Sequence, residues 1–116
     1  MVSIKGFASD QLLEQHHADH ADDFGAPDPR KYEELARAFL EEPKEKWFKE
    51  CTRKAGDLVR YDPTSNRLAI MSTTGIIRTF YKPRFCSTVP PEKKGIKKCH
   101  NQPTHLAYVK QVCSKT

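Results

Sequence analysis

The 116-residue sequence contains no run of the roughly 18 apolar residues that a membrane-spanning helix requires. It also shows no apolar h-region of a signal peptide, so no targeting segment is expected within it. The four cysteines, Cys51, Cys86, Cys99 and Cys113, form no C-x-x-C pair, which argues against a zinc ribbon or a thioredoxin-like site. A P-loop, a G-x-G-x-x-G turn, an H-E-x-x-H helix and a Ser-His-Asp set in recognisable local context are all missing, and there is no internal repeat. Carboxylates are scarce in the second half, where residues 51–116 hold only Asp57, Asp62 and Glu92. That scarcity disfavours a two-metal nuclease, whose ions need several acidic ligands.

What is present is charge, unevenly placed. The chain carries a formal net charge of +5 and a pI of about 9.1. Residues 1–50 hold seven Lys and Arg against twelve Asp and Glu, whereas residues 51–116 hold thirteen against three, giving −5 and +10. A strongly basic half on a small domain points to a polyanion partner, nucleic acid first, against the plainer reading of a solvated basic surface. The length is that of one domain with a modest core, residues 1–116.

The expected fold is α+β: N-terminal helices packed on a twisted antiparallel β-sheet, with a short C-terminal helix. The helical part spans residues 1–43. Ser9 reads as the N-cap of a helix from Asp10 to about Asp23, ended by Gly25 and Pro27. Asp28-Pro29 opens a second helix, whose stripe of Tyr32, Leu35, Ala36, Phe39 and Leu40 faces a core; Pro43 closes it. Residues 44–85 read as a β-meander. Its centre is GDLVRYDPTSNRLAIMSTTGIIRTFYKP, residues 56–83, with strands at Leu58–Asp62, Arg67–Ser72 and Ile76–Lys82 separated by Pro, Asn, Ser and Gly turn chemistry. The stretch from Trp47 to Arg53 fits an edge strand in its later half. Residues 86–116 read as an exposed basic, proline-rich loop followed by a helix starting near Pro103-Thr104.

In the last strand, alternation puts Ile77, Thr79 and Tyr81 on one face and Ile76, Arg78, Phe80 and Lys82 on the other. Arg, Thr, Tyr and Lys within five residues suit a phosphate. His16 and His20 lie one turn apart on the first helix, while His17 falls on its apolar stripe and reads as a packing residue. With no acidic cluster for metals, the chemistry these residues fit is acid–base catalysis on a phosphodiester. RNA supplies its own nucleophile, the 2′-hydroxyl. The protein then supplies a general base, a general acid and donors for the charge developing on phosphorus. Histidine suits the proton transfers and Arg78 offers a planar fork for phosphate oxygens. The plainer readings are that His16 and His20 are solvated, Thr79 and Tyr81 are ordinary strand residues, and Arg78 and Lys82 are edge charges. For the cysteines, reduced thiols are the default. A disulfide among Cys86, Cys99 and Cys113, stapling the Pro/Lys loop, ranks ahead of a metal site that would draw on those cysteines with His100 and His105.

Several segments together resemble a known group: His16-x-x-x-His20-x-x-x-Phe24-Gly25, Tyr32-x-x-x-Ala36-x-x-Phe39-Leu40, GDLVRYDP, SNRLAI and GIIRTFYKP, with His100, Thr104, Leu106 and Tyr108 following. They look like toxin domains of the barnase/EndoU/colicin/RelE-like nuclease superfamily. The nearest likeness is to C-terminal tRNase toxin domains of contact-dependent growth inhibition and polymorphic toxin systems. The resemblance implies two helices on a sheet whose concave face holds RNA, and metal-independent cleavage to a 2′,3′-cyclic phosphate without a cofactor. It implies an acidic immunity protein as a partner, with room for a host cytosolic factor. It also implies delivery as the C-terminal part of a larger secreted effector that acts in the cytoplasm of a target cell. By position, His20 and His16 match the family's helix histidines, and Arg78, Thr79 and Tyr81 match its last-strand motif.

The expectation is therefore a tRNA-cleaving endoribonuclease of bacterial competition. Its catalytic residues are His20, His16, Arg78, Thr79 and Tyr81. Arg53, Arg60, Lys82 and Arg84, with the lysines of 93–98, contact nucleic acid. Two other classes stand beside it: a non-catalytic nucleic-acid-binding module of a phage or mobile element, and a secreted, disulfide-stabilised binding domain.

Overall fold

The computed structural model describes residues 3–91 and 99–114. The first helix, α1, runs Asp10–Phe24, and the second, α2, runs Pro29–Glu41. The Ser9 hydroxyl accepts the Leu12 N–H and the Asp28 carboxylate accepts the Lys31 N–H, each satisfying a donor that a helix start leaves open. Gly25 ends α1 in the left-handed region at φ 60°, and its N–H closes on the Ala21 carbonyl. Four strands follow: β2 at Lys49–Thr52, β3 at Leu58–Asp62, β4 at Arg67–Met71 and β5 at Ile76–Tyr81. The last helix, α3, spans His105–Ser114. The expected α+β architecture is present, with one strand more: Gly6–Phe7, read from sequence as a lead-in, is β1 and pairs in parallel with Ile76–Ile77. The sheet order is β1-β5-β4-β3-β2, antiparallel apart from that first pair.

The sheet is buried on both faces. One face carries α1 and α2 over a core of Tyr32, Ala36, Phe39, Leu40, Ala69, Ile77 and Phe80. The other carries α3, whose Tyr108, Val109 and Val112 cover Val59, Tyr61, Leu68, Ile70 and Tyr81. The face that the resemblance assigns to RNA is thus roofed in part by α3. Two disulfides hold that side, Cys51–Cys113 from β2 to the end of α3 and Cys86–Cys99 beside β5. The second is the staple of the Pro/Lys loop that the sequence offered as an alternative, and it overturns the default of reduced thiols. The first joins Cys51, which the sequence left as a thiol, to Cys113, which it offered as a partner for Cys86 or Cys99; the hairpin and α3 bring these residues, 62 apart in sequence, to a Cα separation of 6.0 Å. Lys93, Lys94, Lys97 and Lys98, expected on an exposed basic loop, lie outside the described residues.

Alternation along β5 fails at one point. Ile70 pairs with Thr79 but the next residue, Met71, pairs with Ile77, so Arg78 is the extra residue of a β-bulge. Ile77 therefore packs with Phe80 under α1 and α2, not with Tyr81 as regular alternation predicts. The bulge also lies where β1 stops: β1 covers only Ile76 and Ile77. Beyond them the end of α1 closes the edge, with the Lys82 N–H donating to Asp23 Oδ2 at 3.0 Å.

Candidate active site

His20 is buried, 8% exposed, although α1 is otherwise a polar helix. Its imidazole stacks on the Tyr81 ring with centroids 5.2 Å apart. His16, one turn back, lies 5.9 Å from His20, and Phe7 of β1 lies 5.2 Å beyond His16. A ladder of rings thus runs from β1 along α1 to the end of β5. His17 points elsewhere: its Nε2 is 3.1 Å from the Ala26 carbonyl and its ring meets the edge of Tyr32, the packing role its position on the apolar stripe implied.

Tyr81 and Thr79 follow the bulge and share the α3 face, Thr79 opposite Ile70 and Tyr81 opposite Leu68. The Tyr81 hydroxyl lies 2.5 Å from that of Tyr108 on α3. Burial pushes the Tyr81 phenol above its ordinary value and the Tyr108 hydroxyl adds to the effect, while the charge of Arg53 pulls against it. At neutral pH Tyr81 is therefore a hydrogen-bonding group and a stacking surface, and not a base. Arg78, which regular alternation puts on the opposite face from Thr79 and Tyr81, is turned by the bulge so that its Nε donates to Asp57 Oδ1 at 3.0 Å. Asp57 is two residues before Val59 and so shares the α3 face, as does Arg53, two residues after Cys51. Arg53 Nη2 donates to Asp57 Oδ2 at 2.7 Å.

The remaining expected contacts are dispersed. Arg60 is a correction. It is 7% exposed and lies on the opposite face of the sheet, where its guanidinium donates to Glu50 and to the Phe39 and Glu42 carbonyls. Its Cζ lies 5.2 Å from the Phe48 ring centroid. It caps the C-terminal end of α2, which has no basic residue in its own last turn, so its guanidinium is spent within the fold and not on the face of Thr79 and Tyr81. Lys82, one residue past Tyr81, turns to the α1 side with its ammonium 5.7 Å from the Phe24 ring centroid. Arg84 pairs with Asp23. Of the basic residues named from sequence for binding, Arg53 alone among the described residues shares the face of Thr79 and Tyr81.

Three groups stood outside the expected catalytic and binding set. Asp57 joins Arg53 to Arg78; its signal was only that it is one of three carboxylates in a basic half. His100 and His105 form a pair, Nε2 to Nδ1 at 2.8 Å. His100 stacks on Tyr108 with centroids 4.3 Å apart, and Phe85 stacks on His105 at 4.2 Å. The rings of α1 and those of the C-terminal segment are thereby linked through the Tyr81–Tyr108 contact. Burial lowers both imidazoles below their ordinary value, and for His100 the charge of His105 adds to this.

At the end of β5, then, α1 supplies an imidazole against the Tyr81 ring, while the α3 face of the sheet supplies a hydroxyl and a phenol able to donate hydrogen bonds and two guanidinium groups able to hold an anion. No protein-family model matches the chain, and no curated protein matches it. Among solved structures, the chain is similar to a ribonuclease from Escherichia coli complexed with its inhibitor protein. The two share 22% identity over 62% of this chain and 83% of that one, with a TM-score of 0.48.

Proposed function

We propose that the protein is an endoribonuclease that cleaves RNA by attack of the 2′-hydroxyl on the adjacent phosphate, leaving a 2′,3′-cyclic phosphate. The observation that carries this reading is the His20 imidazole stacked 5.2 Å from Tyr81, at the end of the strand that presents Arg78 and Thr79. In the proposed reaction His20, with His16 one turn away, handles proton transfer. Thr79 and Tyr81 orient the scissile phosphate. Arg78 stabilises the negative charge added on the phosphorane, a role that a guanidinium fork fills in a site partly shielded from water. No step is assigned to a metal ion.

The finer parts of the proposal are a tRNA substrate, delivery within a larger effector, action in the cytoplasm of a target cell and neutralisation by an acidic immunity protein. They rest on the resemblance of the histidine helix and the GIIRTFYKP strand to tRNase toxin domains.

The test is cleavage of RNA by purified protein in EDTA, followed by sequencing of the RNA ends from cells that express it. Removing a general acid or base costs about 10²–10⁴-fold in rate, so His20→Ala is expected to lose that factor while keeping its fold. Cleavage that disappears in chelator and returns with a divalent ion would overturn the mechanism. Wild-type protein that binds RNA without cutting it would favour the non-catalytic module.

One observation favours a second reading. All four cysteines are paired, as the secreted, disulfide-stabilised binding domain requires. Tight RNA-independent binding to an extracellular ligand, together with no cleavage of any RNA, would decide for it.

A further inference from the structure

Asp57 is the most constrained charged group near the candidate site. Its side chain is 6% exposed, yet it meets two arginines, Arg53 Nη2 at 2.7 Å on one oxygen and Arg78 Nε at 3.0 Å on the other. The backbone fixes this meeting. The Arg53 N–H donates to the Asp57 carbonyl and the Gly56 N–H to the Arg53 carbonyl, which closes the β2–β3 turn. Gly56 takes φ +97°, a left-handed conformation for which the turn needs glycine; a Cβ there would also press on the exposed Thr73 Cγ2 at 2.7 Å, which could turn aside. Arg53 is thus set opposite Asp57 by the hairpin, and Arg78 is brought to it by the bulge in β5.

One carboxylate between two guanidinium groups leaves a net charge of +1. The hydrogen bonds made leave donors over: Arg78 spends only Nε, its side chain is half exposed, and its two terminal nitrogens bond to none of the described residues. The Nε of Arg53 is buried and likewise meets no acceptor among them. An arginine pinned through one edge keeps its other donors aimed in a fixed direction, and less side-chain entropy is lost when an anion arrives. Burial alone would raise the Asp57 carboxyl, but the hydrogen bonds and charges of Arg53 and Arg78 hold it below the usual carboxylate range. At neutral pH the carboxylate that sets the two arginines is thus ionised.

We propose that Asp57 is a positioning residue that holds Arg53 and Arg78 as a two-armed clamp for a single phosphate group beside Thr79. The inference rests on the ribonuclease reading for the identity of that phosphate, a phosphodiester of RNA, but the clamp itself is defined by the geometry of the three side chains. It assigns Arg53 a place at the reacting phosphate in company with Arg78, in contrast to a role on an extended binding surface.

The consequence is a split that ordinary loss of stability would not produce. Asp57→Asn keeps the size of the side chain and one oxygen acceptor but removes the charge. The site then becomes more positive and less ordered. Attraction for RNA is retained or increased, whereas a misplacement of about 1 Å at a reacting group costs on the order of 10²-fold in rate. For Asp57→Asn, kcat is therefore expected to fall by about that factor with KM unchanged or lower.

Binding of inorganic phosphate, followed by 31P NMR at fixed ionic strength, tests the clamp apart from catalysis. Arg53→Ala and Arg78→Ala are each expected to weaken it by roughly ten- to a hundredfold. The half-exposed Arg78 supplies the variant that leaves the Arg53–Asp57 pair and the fold in place. Phosphate binding that depends on both arginines in a protein that cleaves no RNA would uphold the clamp and remove the ribonuclease reading. RNA cleavage by Asp57→Asn at the wild-type kcat, or phosphate binding unaffected by Arg78→Ala, would overturn the clamp and leave that reading standing.

Discussion

The hydrogen of one imidazole can be placed from its neighbours. His100 Nδ1 accepts the Gln102 N–H at 3.1 Å, so neutral His100 carries its proton on Nε2 and donates it to His105 Nδ1. Protonating His105 at that nitrogen would put two hydrogens between the rings, and both rings are further shielded by Tyr108 and Phe85. Each group binds a proton more readily unfolded than folded. Their contribution to stability is therefore complete above the ordinary histidine value of about 6.5 and is lost as pH falls from there through their lowered folded values. The melting temperature is expected to decline as the pH is lowered from about 7.5 to 5.5, before the carboxylates titrate. A level or rising profile over that interval would refute the pairing. Asp57 and Asp62, both held below the usual carboxylate range, act in a separate window: their contribution is full above about pH 4 and lost only below it.

At the scale of elements, Arg60 makes the sharpest prediction. Its guanidinium joins β3 to Glu50 of β2 and to the last carbonyls of α2. Arg67 of β4 works alongside it, its Cζ 4.3 Å from the Phe39 ring centroid and its nitrogens on Glu42 and Asp62. Arg60→Ala would leave Glu50 with only the exposed Lys44, 3.7 Å away, and would strip the Phe39 and Glu42 carbonyls of the guanidinium; breaking a buried pair costs about 3–5 kcal/mol. Denaturant unfolding is expected to show that loss. The folded fraction should bind RNA as tightly as the wild type; weaker binding without destabilisation would restore Arg60 to the nucleic-acid surface.

The helices and the meander are legible in the sequence because caps, a 3.6-residue stripe and turn residues all agree there. β1 is not, since two residues carry no alternation and their partners lie some seventy positions away. Nor is the bulge, which is one extra residue with no compositional mark, yet it decides which face receives Arg78. The placement of His20 beside the last strand follows from helix and strand each being readable. The joining of Arg53 to Arg78 through Asp57 depends on the turn and the bulge together, and so needed the three-dimensional fold.

For the whole molecule, charge that is segregated along the chain is partly spent within the fold. Of the five arginines in residues 51–116, Arg60, Arg67 and Arg84 pair with Glu50, Glu42 and Asp23 of the acidic first half. The free basic surface is smaller than +10 implies. RNA affinity should still fall by more than tenfold between about 50 and 200 mM salt if several phosphates are contacted. Affinity that does not change over that range would mean that phosphate contacts do not dominate binding.

The Cys51–Cys113 bridge has a further effect on how the molecule comes apart. It closes residues 51–113, with β3, β4, β5 and α3, into a covalent ring that Cys86–Cys99 cross-ties from within. The segment holding α1 and α2 is attached to that ring through a single stretch of backbone. A protease nick inside the ring therefore opens it without dividing the molecule, whereas a nick between the end of α1 and residue 51 cuts the covalent link from the histidine helix to its strand partners. On limited proteolysis followed by denaturing electrophoresis, chains cut once within residues 52–112 should travel as one band until a reductant is added, whereas a cut between residues 25 and 50 should release the piece carrying His16 and His20 without one.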